Sequence, residues 1–117
     1  MILHVVLYQL RASATPKERE ALAAALYTAC REIPTIQHVR IGKTINLQMG
    51  YMDRSKSQQY DYVAVLEFMD EEGLRAYMVH PRHRELSELF WKVCEKTTIV
   101  DAVVVDPTVG DLIGQTG

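Results

Sequence analysis

Ile2 to Leu10 carries apolar side chains on both parities, with Ile2, Val6, Tyr8 and Leu10 on one and Leu3, Val5 and Leu7 on the other. A strand of this kind needs cover on both of its faces. Tyr60 to Met69 repeats the pattern at its centre, where Tyr62, Ala64, Leu66 and Phe68 alternate with Val63 and Val65. A chain of 117 residues must therefore find two covers for one sheet. Each side chain of this size left in water forfeits about 1.5–3 kcal/mol.

The remaining elements show which cover the chain supplies itself. Thr15-Pro16-Lys17-Glu18 is a capping box with proline at the first helical position. The helix that follows aligns Leu22, Leu26, Ala29 and Ile33 on one stripe and stops at Pro34. A second strand runs from Gln37 to Lys43, with Val39 and Ile41 opposed to His38 and Arg40, and Gly42 marking a bulge or a close approach. Thr44 to Gln59 is polar and aperiodic and reads as a long connection. Asp70 caps a short helix that sets Leu74, Tyr77 and Met78 on one side until Pro81 breaks it. Leu86, Leu89, Phe90, Val93 and Cys94 form a further helical stripe, and Thr97 to Val105 is the fourth strand. The order is β-α-β-β-α-β, the α+β, ferredoxin-like arrangement with a four-stranded antiparallel sheet and helices on one face only. Leu3, Val5, Leu7, Val63, Val65, Val103 and Val105 are then expected on the open face. A patch of this size implies a second copy packed sheet to sheet, in a homodimer. Residues 1–105 form the single domain. The tail, residues 106–117, is either loose or crosses to the partner through Val109, Leu112 and Ile113.

Composition narrows the function classes. Thirteen Lys and Arg against fifteen Asp and Glu leave a net charge of −2, without the basic surface that a nucleic-acid partner requires. No apolar run approaches the roughly 18 residues that cross a bilayer, so no membrane partner is expected. The start of the chain does not read as a leader. Cys30 and Cys94 share no CxxC spacing, follow apolar stripes and read as core thiols in a cytoplasmic protein. Gly-rich phosphate loops, GxSxG and HExxH are not present. No two histidines stand at i,i+4 spacing, and His80 and His83 straddle Pro81, so neither a metal site nor a cofactor is expected.

The polar residues that interrupt the apolar pattern are the candidates for chemistry. His4 shares its parity with Val6 and Tyr8 and so enters the layer between sheet and helices. It is either a hydrogen-bonded core histidine or a neutral general base. Tyr77 lies on the inward stripe of its helix, and His80 and His83 flank the break at Pro81. His80 reads as a solvent-facing residue near a helix C-terminus and His83 as a first-turn residue of the next helix. Tyr62 also turns its hydroxyl into the layer. Trp91, beside Phe90, reads as core or interface.

These residues resemble the stress-responsive dimeric α/β-barrel (Dabb) family. The resemblance rests on His-Val-Val-Leu from His4, Ile33-Pro34, the Val-x-x-Gly run from Val39 to Gly42, and Tyr-Asp-Tyr from Tyr60 to Tyr62. It continues with Leu-Glu-Phe from Leu66 to Phe68 and Tyr-x-x-His-Pro-x-His from Tyr77 to His83, spanning about residues 2 to 105. The family pairs as homodimers and includes plant polyketide cyclases of the olivetolic acid cyclase type and a plant hydroxynitrile lyase. The resemblance implies His4, Tyr77 and His83 as catalytic residues in an internal pocket. It implies Val6, Tyr8, Leu26, Tyr62 and Phe90 around the substrate. Tyr62 stands where the cyclase has a histidine, and Leu26 where it has a tyrosine. The connection from Thr44 is longer than the cyclase's, which argues against the cyclase's own substrate. The expectation is a small cofactor-independent enzyme doing His/Tyr acid–base chemistry on a carbonyl compound, as cyclase or lyase. The alternative is a non-catalytic stress-responsive dimer or a small apolar ligand binder. A haem-, flavin- or cofactor-free monooxygenase is a third option. A cavity of about 300 Å³ or more, with His4, Tyr62, Tyr77 and His83 converging on it, would favour the enzyme.

Overall fold

A computed structural model describes residues 1–51 and 60–107. Strand β1 spans Ile2–Leu10, helix α1 Pro16–Glu32, β2 Ile36–Lys43 and β3 Tyr62–Phe68. Helix α2 spans Glu71–Val79, α3 Pro81–Val93 and β4 Cys94–Val103. The four strands form one antiparallel sheet in the order β2-β3-β1-β4, with β1 and β3 central. This is the expected ferredoxin-like architecture.

The local signals act as the sequence implies. Thr15 Oγ accepts the Glu18 N–H at 3.1 Å, and Glu18 accepts the Thr15 N–H at 2.9 Å, so the capping box is complete. Asp70 accepts the Gly73 N–H at 2.9 Å at the start of α2. Leu22, Ala29 and Ile33 from the first helical stripe, Tyr77 from α2, and Leu86 and Val93 from α3 are buried against Ile2, Val6, Leu66 and Phe68 of the sheet.

The opposite face lacks cover from the chain's own helices. Leu3, Val5, Leu7, Val63 and Val65 are only half-buried there. Val103, expected on this face, instead pairs with Ile2 and so shares the helix-side face, while Val100 takes its place opposite Val5. Val105 lies beyond the end of β4. Alternation within a strand does not reveal how that strand registers on its neighbour.

Gly42 is no bulge. It pairs in register with Val63, and the irregularity of this strand pair falls between Ile36 and His38. Cys94, placed on the last helical stripe, opens β4 instead. The segment after β2 is less polar than its composition suggests. Ile45, Leu47, Met49 and Tyr51 all stand largely in solvent. The rest of that connection, and Val109, Leu112 and Ile113 of the tail, lie outside the described residues.

Candidate functional site

Three elements bring the polar exceptions to one place. β1 carries His4 into the layer beneath the helices, where it is 5% exposed. α2 contributes Tyr77 from its buried side. The chain then turns at His80, which ends α2 and caps α3 by accepting the Arg82 N–H on its Nδ1 at 3.0 Å. His80 is therefore half-buried and serves as an acceptor at a helix N-terminus, rather than as a solvent-facing residue at a C-terminus. The turn delivers His83 on the first turn of α3. Its ring centroid lies 4.5 Å from that of Tyr77, and the Tyr77 ring lies 5.6 Å from His4. Tyr77 thus stands between two imidazoles.

The sheet adds a fourth group. Asp101 of β4 lies directly across from His4 in the strand register, and its Oδ1 is 2.5 Å from His4 Nδ1. A carboxylate only accepts, so Nδ1 carries the proton and the lone pair is on Nε2. The pair joins an imidazole 6% exposed to a carboxylate 50% exposed. The carboxylate therefore keeps part of its hydration.

Burial sets the protonation of the other two groups. It pushes the Tyr77 phenol far above its ordinary value, with Cys30 and Asp101 adding to the rise, so Tyr77 keeps its proton. It pulls the His83 imidazole below its ordinary value. A hydrogen bond to the Met78 backbone opposes that fall and His4 adds to it. The site therefore presents a protonated phenol beside a neutral imidazole, with a second imidazole anchored by a carboxylate.

These four residues line a cavity of about 190 Å³. Val6, Tyr8, Leu26 and Phe90 share its wall, as do Ser87, Trp91 and Ile99. Tyr62 does not. It stacks on Tyr8 at 5.3 Å and faces a neighbouring groove of about 490 Å³ between α1 and β2, which shares Tyr8, Leu22 and Leu26 with the cavity. The cavity is smaller than the roughly 300 Å³ typical of sites for larger ligands. Among the described residues, no three His, Cys, Asp or Glu side chains gather as a metal site, and no helix is long and apolar enough to cross a membrane.

Sequence reasoning missed Asp101 altogether. On sequence alone it is one acidic residue in an exposed edge strand, and only the register of β4 on β1 places it beside His4. Trp91, read as core or interface, lies on the cavity rim and is 55% exposed.

The four-stranded antiparallel sheet with helices on one face places the chain among the ferredoxin-like α+β domains. Within that class, the sequence profile of the stress responsive A/B barrel domain, Dabb, matches residues 2–104, and the chain belongs to this family. Among solved structures, a dimeric ferredoxin-like protein of unknown function from Thermobifida fusca is 25% identical. The match covers 88% of this chain and 90% of that one, with a TM-score of 0.69. An Arabidopsis thaliana protein is 19% identical over 93% of this chain and 100% of its own, with a TM-score of 0.76. A hydroxynitrile lyase from Passiflora edulis is 14% identical over 90% of this chain and 94% of its own, with a TM-score of 0.75. At that identity, the plant structures show the fold alone. No curated protein matches the chain by sequence.

Proposed function

We propose that the chain is a small cofactor-independent enzyme that performs acid–base chemistry on a carbonyl compound in the cavity between sheet and helices. The reaction is of the cyclase or lyase type found in the olivetolic acid cyclase and hydroxynitrile lyase branches of the family. The observation that carries this reading is the His4–Asp101 pair beside the Tyr77 hydroxyl. His4 Nε2 takes a proton from the substrate, from carbon next to a carbonyl in a cyclase or from a cyanohydrin hydroxyl in a lyase. The imidazolium formed is held by Asp101. In the cyclase case the electron pair of the broken C–H bond moves into the carbonyl, and Tyr77 donates a hydrogen bond to the resulting enolate oxygen. The enolate carbon then closes on a second carbonyl of the substrate, whose oxygen takes back the proton held on His4. In the lyase case the alkoxide electron pair forms the carbonyl as the C–CN bond breaks, and cyanide leaves as HCN with that same proton. His83, kept neutral by burial, accepts a hydrogen bond from the substrate. Val6, Tyr8, Leu26 and Phe90 provide the apolar wall, and Tyr62 supports Tyr8 from the adjoining groove.

The test is turnover of a panel of small β-keto acids, aromatic polyketide fragments and cyanohydrins by the wild type and by His4→Ala, His83→Ala and Tyr77→Phe. Each variant should lose about 10²-fold or more while remaining folded. Full turnover by both His83→Ala and Tyr77→Phe would discard this mechanism. The cavity's modest size favours one second reading, a non-catalytic binder of a small apolar ligand. Ligand binding without turnover would establish it.

The same proposal includes a homodimer formed through the open sheet face, as several solved neighbours are described as dimeric. The free thiols Cys30 and Cys94 fit a reducing, cytoplasmic setting. A single domain over residues 1–105 completes the reading. A monomeric mass in dilute solution would overturn the dimer.

A further inference from the structure

Among the described residues, two apolar surfaces outside the open sheet face also stand exposed. The first is the start of the connection after β2. Thr44 to Tyr51 contains no charged residue, in a chain that is 24% charged. Among the described residues, the segment is tied to the sheet edge at its beginning, where the Thr44 N–H donates to the Asp61 carbonyl at 2.9 Å and its hydroxyl donates to the Tyr60 carbonyl at 2.6 Å. It then turns at Gln48, whose φ is 58° and whose N–H donates to Asn46 Oδ1 at 2.7 Å. A left-handed backbone at a residue other than glycine costs about 1–2 kcal/mol, so this turn is a specified shape rather than a slack loop. It holds out Ile45, Leu47, Met49 and Tyr51, which are 53–75% exposed.

The second surface is the rim of the catalytic cavity. Met78, Trp91 and Ile99 line its wall and are each 44–55% exposed, and Val103 beyond them is 61% exposed. This rim stands beside β4, whereas the uncharged segment leaves β2. The two strands are opposite edges of the sheet, with β3 and β1 between them.

Dimer symmetry joins the two surfaces. Of the two-fold axes a sheet-to-sheet pair can take, one running across the strands sets β2 against β2, whereas one running along them reverses the strand order, so that β2 of one copy lies against the β4 edge of its partner. We propose that the dimer takes the axis along the strands and that the Thr44–Tyr51 segment of each copy passes round the β4 edge to seat on the Met78–Trp91–Ile99 rim of the other, so that each cavity is roofed by the second copy. The inference rests on the sheet-to-sheet dimer and goes beyond it: the site is complete only in the assembly. The contact is mainly apolar, and the half-exposed Asp101 of the same cavity lies beneath it, paired with His4. The roof also keeps water from the half-exposed Asp101, which strengthens its hold on His4.

Trp91 is the only tryptophan, so its fluorescence reports on the rim alone. The experiment measures acrylamide quenching of the full chain, with mass by light scattering on the same samples, for the wild type and for Ile45→Ser/Leu47→Ser. Both substituted residues are exposed, so folding should persist, and circular dichroism checks that it does. The expected result is a wild-type dimer whose Trp91 quenches several-fold less than free indole. The variant should be a dimer whose Trp91 quenches like an exposed residue. A wild-type dimer with freely quenched Trp91 overturns the roof and leaves the dimer standing. Protection that survives the double substitution does the same. A wild-type monomer overturns both.

Discussion

At the scale of single residues, the site depends on how few groups share two protons. Asp101→Asn keeps the shape of its side chain but can no longer fix the His4 tautomer by acceptance alone. We expect turnover to fall about 10²-fold or more, with little change in stability, since the carboxylate is half in solvent. Kinetics of that variant on any substrate found for the wild type settle the point; unimpaired turnover removes Asp101 from the mechanism. His83 gives a prediction in pH. Its imidazole titrates below the ordinary histidine value in the folded protein. The unfolded chain therefore takes up this proton first as pH falls. The contribution to stability is neutral above the ordinary value of about 6.5, turns unfavourable below it, and levels off below the folded value. Urea midpoints at pH 5 and 7.5 should differ less for His83→Gln than for the wild type. An equal or larger difference would contradict the burial argument. Legibility at this scale was uneven. His4 and Tyr77 stand out because each puts a polar group into an apolar stripe, and His83 because it completes the Tyr-x-x-His-Pro-x-His run on which the family resemblance rests. Asp101 meets His4 across 97 positions of sequence. No property of the Thr97 to Val105 segment alone distinguishes Asp101 from any solvent-facing acid.

At the scale of elements, the punctuation was the most readable part of the sequence. The Thr15 capping box, the Asp70 cap and the breaks at Pro34 and Pro81 follow from local stereochemistry, and the structure shows them as read. Thr15→Ala should lower the stability of the chain by about 1 kcal/mol in urea melts. Its effect on the site should be small, as Leu22 and Leu26 lie further along α1. Gly73 supports the opposite kind of change. It is buried in α2, yet an added Cβ would meet only ordinary contacts, at 3.5 Å from Thr35 and Asp70 and 3.6 Å from Phe68. Gly73→Ala should stabilise the protein by about 0.5–1 kcal/mol through helix propensity. A lower midpoint would show that the contacts are tighter than they look. Reading failed where an element depends on its neighbours. Gly42 suggested a bulge because glycine is rare in strands, but the pairing passes through it undisturbed. The stretch from Thr44 reads as polar and aperiodic because of Asn46, Gly50, Asp53 and Ser55, yet Ile45, Leu47 and Met49 alternate within it.

For the whole molecule, the double-sided apolar strands set the terms. The open face centres on Val65, Val5 and Val100, which stand side by side on three adjacent strands. Placing one charge there, as Val5→Asp, should leave the helix-side core intact and shift a dimer towards monomer at micromolar concentration, measured by light scattering. A variant that stays dimeric would place the interface elsewhere. The fold class was legible because element order and parity survive without any knowledge of contacts. The size of the cavity was not, because it depends on how far the helices stand from the sheet, and that distance is set by side chains from every element at once.

The pairing of β1 with β4 has a consequence for how the protein comes into being. His4 belongs to the first strand of the domain and Asp101 to the last, so the pair needs both ends of the domain together. Contacts this distant in sequence form late, because the intervening chain must first give up its freedom. Without β4, His4 has no acid beside it. The His4–Asp101 pair is therefore complete only once the sheet has taken in its final strand.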